Sequence, residues 1–212
     1  MQNNTSEVFP LFSKPVYLDR LKNISLKEIV ENLNESFKES GDVNYKKPNL
    51  DISLASVNKN VLEQSKYKNL KKTIMKEFYK YAHDILNYEN EFRITTSWFT
   101  KTIGGQSSNY HTHNNCMFSG VLYLQTDGLS GNINFTNYDN KRYHLKARQY
   151  NLYNGNDFTF EVEEGMIIFF PSEVYHKILQ SSSEHIRYSL AFNFIPIGDL
   201  WNKDSDSYLY IK

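Results

Sequence analysis

Gly165-Met166-Ile167-Ile168-Phe169-Phe170-Pro171-Ser172-Glu173-Val174-Tyr175-His176 is the stretch that decides how this chain is built. A glycine suited to a turn opens it, and an apolar run too short for a helix follows. A proline-bearing turn then starts a second extended run. The pattern predicts a buried strand, a reversal and a new strand that sets His176 at a sheet rim. The same grammar repeats on either side. Arg93 to Ile103, Phe118 to Gln125, Gly131 to Thr136, Asp157 to Glu161, Val174 to Leu179 and Ile186 to Phe194 are short aromatic or β-branched runs. Gly104-Gly105, Asp127-Gly128, Asn154-Gly155, Glu164-Gly165 and Ser181 to Ser183 divide them. Seven or eight short strands at this spacing predict a sandwich or jelly roll over 91–212. The 16 Tyr and 14 Phe favour strands as well.

Residues 1–90 read differently. Ser25 and Glu28 have the spacing of a capping box, and Leu26, Ile29, Val30, Leu33 and Phe37 follow with helical periodicity up to Gly41. From about Asn58 to Tyr88, Leu62, Leu70, Ile74, Phe78, Ala82 and Ile85 recur every three or four residues, with Lys and Glu between them. One long helix or two short ones packed on the sheet are expected there, and 41–57 is expected to be a connecting loop. The whole is one domain, mainly β, with N-terminal helices supporting the core.

Composition narrows the function. Lys+Arg and Asp+Glu stand at 24 each, which argues against a broad surface for long nucleic acid or anionic membrane. No apolar stretch approaches the 18 residues or so that a membrane helix needs, and no segment reads as a signal peptide. The one cysteine, Cys116, excludes an intrachain disulfide and a Cys-rich zinc module. A cytoplasmic protein is expected.

Chemistry concentrates in a few positions. His111 and His113 lie one residue apart between a Gly/Ser/Asn-rich loop and an apolar run, so on extended backbone their rings share a side. Neutral imidazoles suit Fe, Zn, Cu or Ni, and with His176 they make three ligands that leave coordination positions open. The competing reading for each is an ordinary surface or core histidine. Arg187 and Ser189 share one parity of an apolar run whose Ile186, Leu190, Phe192 and Phe194 take the other. A buried guanidinium needs an anion, and either a carboxylate ligand or a structural Asp or Glu would serve. His83, His144 and His185 have no partner at useful spacing, and Cys116 reads as a small buried residue near the site.

Trp98-Phe99-Thr100, His111-Thr112-His113, Ser119 to Leu124 and Gly131 to Phe135 resemble the iron(II)- and 2-oxoglutarate-dependent oxygenases, and within them a group common in bacteria and their phages. Gly165 to Pro171, His176 and Arg187 to Asn193 resemble the second half of that pattern, and Phe9 to Val16 its opening segment. The resemblance implies a double-stranded β-helix (jelly roll, cupin-like) core with iron at one open end. His111 would be the first ligand, His176 the distal one, and Arg187 with Ser189 the anchor for the side-chain carboxylate of 2-oxoglutarate, joined by Tyr123. The family uses Asp or Glu where this chain has His113, which leaves the site one negative charge short; a register with His113 first and Asn115 at the acidic position is the alternative. The activity implied is hydroxylation of a small molecule or peptide, with release of succinate and CO2, by a protein that could form a homodimer. A non-catalytic metal or 2-oxoglutarate-binding module and a three-His cupin-type dioxygenase are the competing functions. Substrate would be selected by the loops Gly104 to Asn109 and Asn137 to Asn156.

Overall fold

The structure is a computed structural model that describes residues 7–22, 24–31, 33, 37, 52–138 and 145–212. Ten strands appear in it: β1 (Tyr17–Arg20), β2 (Leu54–Ala55), β3 (Glu91–Thr102), β4 (Phe118–Gln125), β5 (Ile133–Thr136), β6 (Asp157–Phe160), β7 (Met166–Pro171), β8 (Tyr175–Ile178), β9 (Arg187–Leu200) and β10 (Leu209–Ile211). A large sheet runs in the order β1-β7-β4-β9-β3-β2, with β10 attached to β9, and a small sheet runs β6-β5-β8. All the strand pairings are antiparallel. The two sheets face each other across Val121, Tyr123, Ile168 and Phe170 of the large sheet and Ile133 and Phe135 of the small one. This is the expected jelly roll.

The outer face of the large sheet is closed by helices. Leu70, Ile74 and Phe78, four residues apart on α2 (Lys68–Tyr79), are buried there. Phe78 lies flat on Phe194 at 3.8 Å between ring centres, and meets Phe92 and Phe169 edge-on at 5.2 and 5.4 Å. Each such buried ring stabilises by roughly 1.5–3 kcal/mol of area burial, with a further ~1 kcal/mol from ring geometry. Two short 3-10 turns, Val61–Glu63 and Ser65–Tyr67, lead into α2. Gly120 is required where β7 and β9 close over β4, since a Cβ there would lie 2.4 Å from Phe192 and 2.7 Å from Phe169.

Three expectations need correction, and a fourth lies mostly outside the described residues. The N-terminal part is not purely helical, because β1 and β2 join opposite ends of the large sheet. They are four and two residues long, too short to show alternation, and exist because an edge is there to pair with. β9 continues six residues past Phe194, through Pro196 and Gly198, held by β3 and then β10. Ile85 is exposed, because a π-helical turn over Lys80–Ile85 takes more residues per turn and rotates it off the buried stripe. The first helix is described as α1 over Leu26–Glu31, with Leu33 buried; the expected stretch to Gly41 and most of the loop 41–57 lie outside the described residues.

Candidate metal centre

The inner face of the large sheet is polar by rungs. On β9, Tyr188, Leu190, Phe192 and Phe194 pack toward the helices, so Arg187, Ser189, Ala191 and Asn193 face the small sheet. A bulge at Thr95 on β3 shifts that strand's parity, which turns Thr96, Trp98, Thr100 and Thr102 inward. Strand register then sets Arg187 beside Thr102, Ser189 between Thr100 and Tyr123, Ala191 between Trp98 and Val121, and Asn193 between Thr96 and Ser119.

The three predicted histidines meet at the end of the barrel nearest the Asn193 rung. His111 forms a single antiparallel bridge with His176, each main-chain N–H donating to the other's carbonyl at 3.0 Å. His111 is thus a one-residue extension of the small sheet beyond β8. His113 follows in an irregular loop, its N–H donating to the Ser172 carbonyl at 3.0 Å. One potential ligand atom from each histidine lies within 4.8 Å of the others, and the Nε2 atoms of His113 and His176 are 3.2 Å apart. The Nδ1 atoms of His111 and His176 sit 2.8 and 2.9 Å from the carbonyls of Asn109 and Val174. A carbonyl accepts only, so those nitrogens carry the hydrogens and the Nε2 lone pairs are left to converge. Carbonyl support of this kind is what a metal-binding imidazole requires. Burial, and then the neighbouring His111, lower His113 to about 4; burial, His111 and His113 lower His176 to about 3. Both rings are neutral at pH 7, the form a metal binds. Trp98, 5.7 Å from His113, and Phe170, 4.7 Å from His176, wall the site.

Three rungs along β9 from Asn193 lies the other predicted group, Arg187. Arg187 is 1% exposed. Its Nη1 donates to the Gly131 carbonyl at 2.7 Å and its Nη2 to Thr102 Oγ1 at 2.8 Å, while its Nε has no partner. Among the described residues no carboxylate forms an ion pair with it. The structural Asp or Glu left open by the sequence is therefore not found there. Burial pulls the Arg187 pKa down. Tyr123 is fully buried, its hydroxyl also has no partner, and its ring lies 5.8 Å from the guanidinium carbon. Burial pushes that phenol up to about 12. Ser189 Oγ is 2.5 Å from Thr100 Oγ1. Buried polar atoms without partners, around a cation without an anion, are rare unless a ligand completes them.

The remaining predicted positions fall elsewhere. Asn115 is an exposed turn residue with φ of 59°. Cys116 is half-buried rather than buried, with Sγ 3.2 Å from Ser172 Oγ. His83 Nε2 meets the Asn90 carbonyl at 2.9 Å, His185 is exposed, and His144 lies outside the described residues. Thr102, Gly131 and the two supporting carbonyls were missed. The signal for Thr102 was alternation along β3, which the bulge broke. Gly131 has φ of 92°, and a Cβ there would lie 2.4 Å from the Leu179 carbonyl.

A family described as "Putative 2OG-Fe(II) oxygenase" matches residues 96–193, a stretch that holds all three histidines, Tyr123, Arg187 and Ser189. That stretch belongs to the 2OG-Fe(II) oxygenase family. The family is one of enzymes that use iron(II) with 2-oxoglutarate as co-substrate. Solved structures agree on the fold. A prolyl-4-hydroxylase from Pseudomonas putida superposes with a TM-score of 0.59 at 16% identity, over 88% of this chain and 95% of that one. The non-heme alpha-ketoglutarate-dependent carbocyclase SnoK, from nogalamycin biosynthesis, gives 0.63 at 11% identity, over 93% and 82%. HygX from Streptomyces hygroscopicus, crystallised with nickel and 2-oxoglutarate, gives 0.59 at 9% identity, over 86% and 83%. The core is accordingly the expected double-stranded β-helix. No curated protein matches the chain. Among its described residues no helix is long and apolar enough to cross a membrane.

Proposed function

We propose that the protein is a hydroxylase in which His111, His113 and His176 hold Fe(II) and Arg187, with Ser189 and Tyr123, holds the far carboxylate of 2-oxoglutarate. One observation carries this: three imidazoles with converging lone pairs open into the same barrel as a buried guanidinium that has no acid beside it. The donor set fits the ion, since neutral nitrogens suit Fe(II) and three protein ligands leave room for a chelating keto acid and oxygen. When bound, iron and 2-oxoglutarate together supply the oxidising power, with O2 consumed and succinate and CO2 released.

The protein's own residues bind and orient. The Asn109 and Val174 carbonyls keep the His111 and His176 rings in the tautomer that offers Nε2. Thr102 and Gly131 hold the Arg187 fork flat, leaving its Nε and the Tyr123 hydroxyl to meet a carboxylate. Trp98 shields His113, and Phe135 and Phe170 shield His176, from water, while His111 stays exposed. A chelating dianion at the metal compensates for the charge that His113 does not bring. The substrate in this reading is a small molecule or peptide, selected by the loops Gly104 to Asn109 and Asn137 to Asn156, of which residues 139–144 lie outside the described residues, and the compartment is the cytoplasm.

The test is anaerobic addition of Fe(II) and 2-oxoglutarate. A weak visible charge-transfer band should form, and oxygen should then yield succinate even without substrate. Metal binding in which Arg187→Ala leaves 2-oxoglutarate affinity unchanged would favour a three-His dioxygenase that does not use the keto acid. A band that forms without any succinate would leave a binding module.

A further inference from the structure

The Asn193 rung carries a second buried polar assembly that the proposed reaction does not use. Asn193, Ser119 and Ser172 are 7%, 1% and 1% exposed. Asn193 Nδ2 donates to Thr96 Oγ1 at 2.9 Å, and Asn193 Oδ1 accepts from Ser119 Oγ at 2.8 Å. Ser119 Oγ lies 2.8 Å from Ser172 Oγ, and Cys116 Sγ lies 3.2 Å from Ser172 Oγ. Each hydroxyl has one hydrogen, so the direction is fixed. Ser119 spends its hydrogen on Asn193, Ser172 must therefore donate to Ser119, and the Cys116 thiol donates to Ser172. The chain has a single order from thiol to amide.

Ser172, the member next to the thiol, stands between two of the histidines. The Ser172 carbonyl accepts the His113 N–H, and the Ser172 N–H donates to the Met117 carbonyl, both at 3.0 Å. The loop that carries His113 is thus clipped to Ser172 at both ends. Ser172 also lies two residues before Val174, whose carbonyl orients the His176 ring. Displacing Ser172 would move the His113 loop and the His176 turn relative to one another.

We infer that Ser119, Ser172 and Asn193 are positioning residues: their hydrogen-bonded chain ties Ser172 to the centre of the large sheet and so sets the separation of His113 and His176. The inference rests on the metal-centre reading above. His113 has no carbonyl support on its ring comparable to that of the other two ligands among the described residues, so its placement depends on its main chain and hence on Ser172.

Co(II) is the probe, read anaerobically by visible absorption and by titration. Ser119→Ala should weaken Co(II) binding about tenfold and alter the ligand-field spectrum, as loss of a group supporting a ligand does. Ser172→Ala, which keeps both main-chain hydrogen bonds while cutting the chain, should do the same and serves if Ser119→Ala does not fold. Leu122→Ala, on the helix-facing side of the same strand, should lower the melting temperature yet leave the spectrum of the folded protein unchanged, which separates positioning from stability. Folded Ser119→Ala and Ser172→Ala with the wild-type spectrum and affinity would overturn the inference. A His176→Ala variant that binds Co(II) with the wild-type affinity and spectrum would instead overturn the metal-centre reading itself.

Discussion

The two faces of β9 are one strand put to opposite uses. Toward the helices, Tyr188, Leu190, Phe192 and Phe194 are buried among rings and aliphatic groups, with no polar atom to satisfy except the Tyr188 hydroxyl. Toward the small sheet, Arg187, Ser189 and Asn193 are as deeply buried but polar, and the Arg187 end keeps atoms without partners. The first face holds the fold together. The second leaves buried polar atoms without partners, an arrangement that costs stability and that a bound carboxylate would relieve in the proposed function.

Mutation should separate the two. The largest effect is expected on the helix-facing side, where Phe78→Ala removes the ring stacked on Phe194 and should cost about 3–5 kcal/mol in chemical denaturation. Whatever fraction stays folded should bind metal normally. Across the strand, Arg187→Met should reverse the signs. Affinity for 2-oxoglutarate should fall by about 3 kcal/mol, on the order of a hundredfold by calorimetry, because a buried ion pair with the ligand is lost. The melting temperature of the free protein should hold or rise, since an uncompensated buried cation has been removed. A drop in both would mean that Arg187 is structural and that the contrast between faces fails.

Smaller changes sharpen the picture. His113→Asp supplies the acidic ligand the family normally carries and should tighten Fe(II) binding by on the order of tenfold in a competition titration. Tyr123→Phe removes one neutral donor, so 2-oxoglutarate affinity should weaken about threefold while stability changes little, the hydroxyl having no partner to lose. pH gives the gentlest test. His113 and His176 titrate below their unfolded value of about 6.5, so the folded protein binds fewer protons than the unfolded chain. Stability of the metal-free protein should be full above that value and decline as pH falls from about 6.5 toward 4. A His176→Asn variant should show a shallower decline in thermal melts across that range.

Much of this is legible in the sequence. The Gly165-to-His176 stretch announced β7, a turn and β8 because a glycine, a short apolar run and a proline act locally. The three histidines could be named because few residue types bind metal and their flanks marked strand rims. What could not be read depends on pairing. β1, β2 and β10 are short edges with no pattern of their own. Thr102 faces Arg187 only because Thr95 bulges, and nothing in the composition of β3 marks that residue as the extra one. Ser119, Ser172 and Asn193 look like unremarkable polar residues until register stacks them on one rung. The π-helical turn that exposes Ile85 is invisible to a pattern that assumes one helical period throughout.

β9 occupies an interior place in the large sheet, between β4 and β3, though it follows both of them, and β7, along the chain. Until it emerges, β4 and β3 have an empty lane between them, and Phe78 lacks the ring it stacks on. Those contacts join residues 63 to 116 positions apart, which makes closure slow and leaves open strand edges exposed meanwhile. Chaperone dependence during synthesis, and poor yield from any truncation before Leu200, follow from where that single strand is inserted.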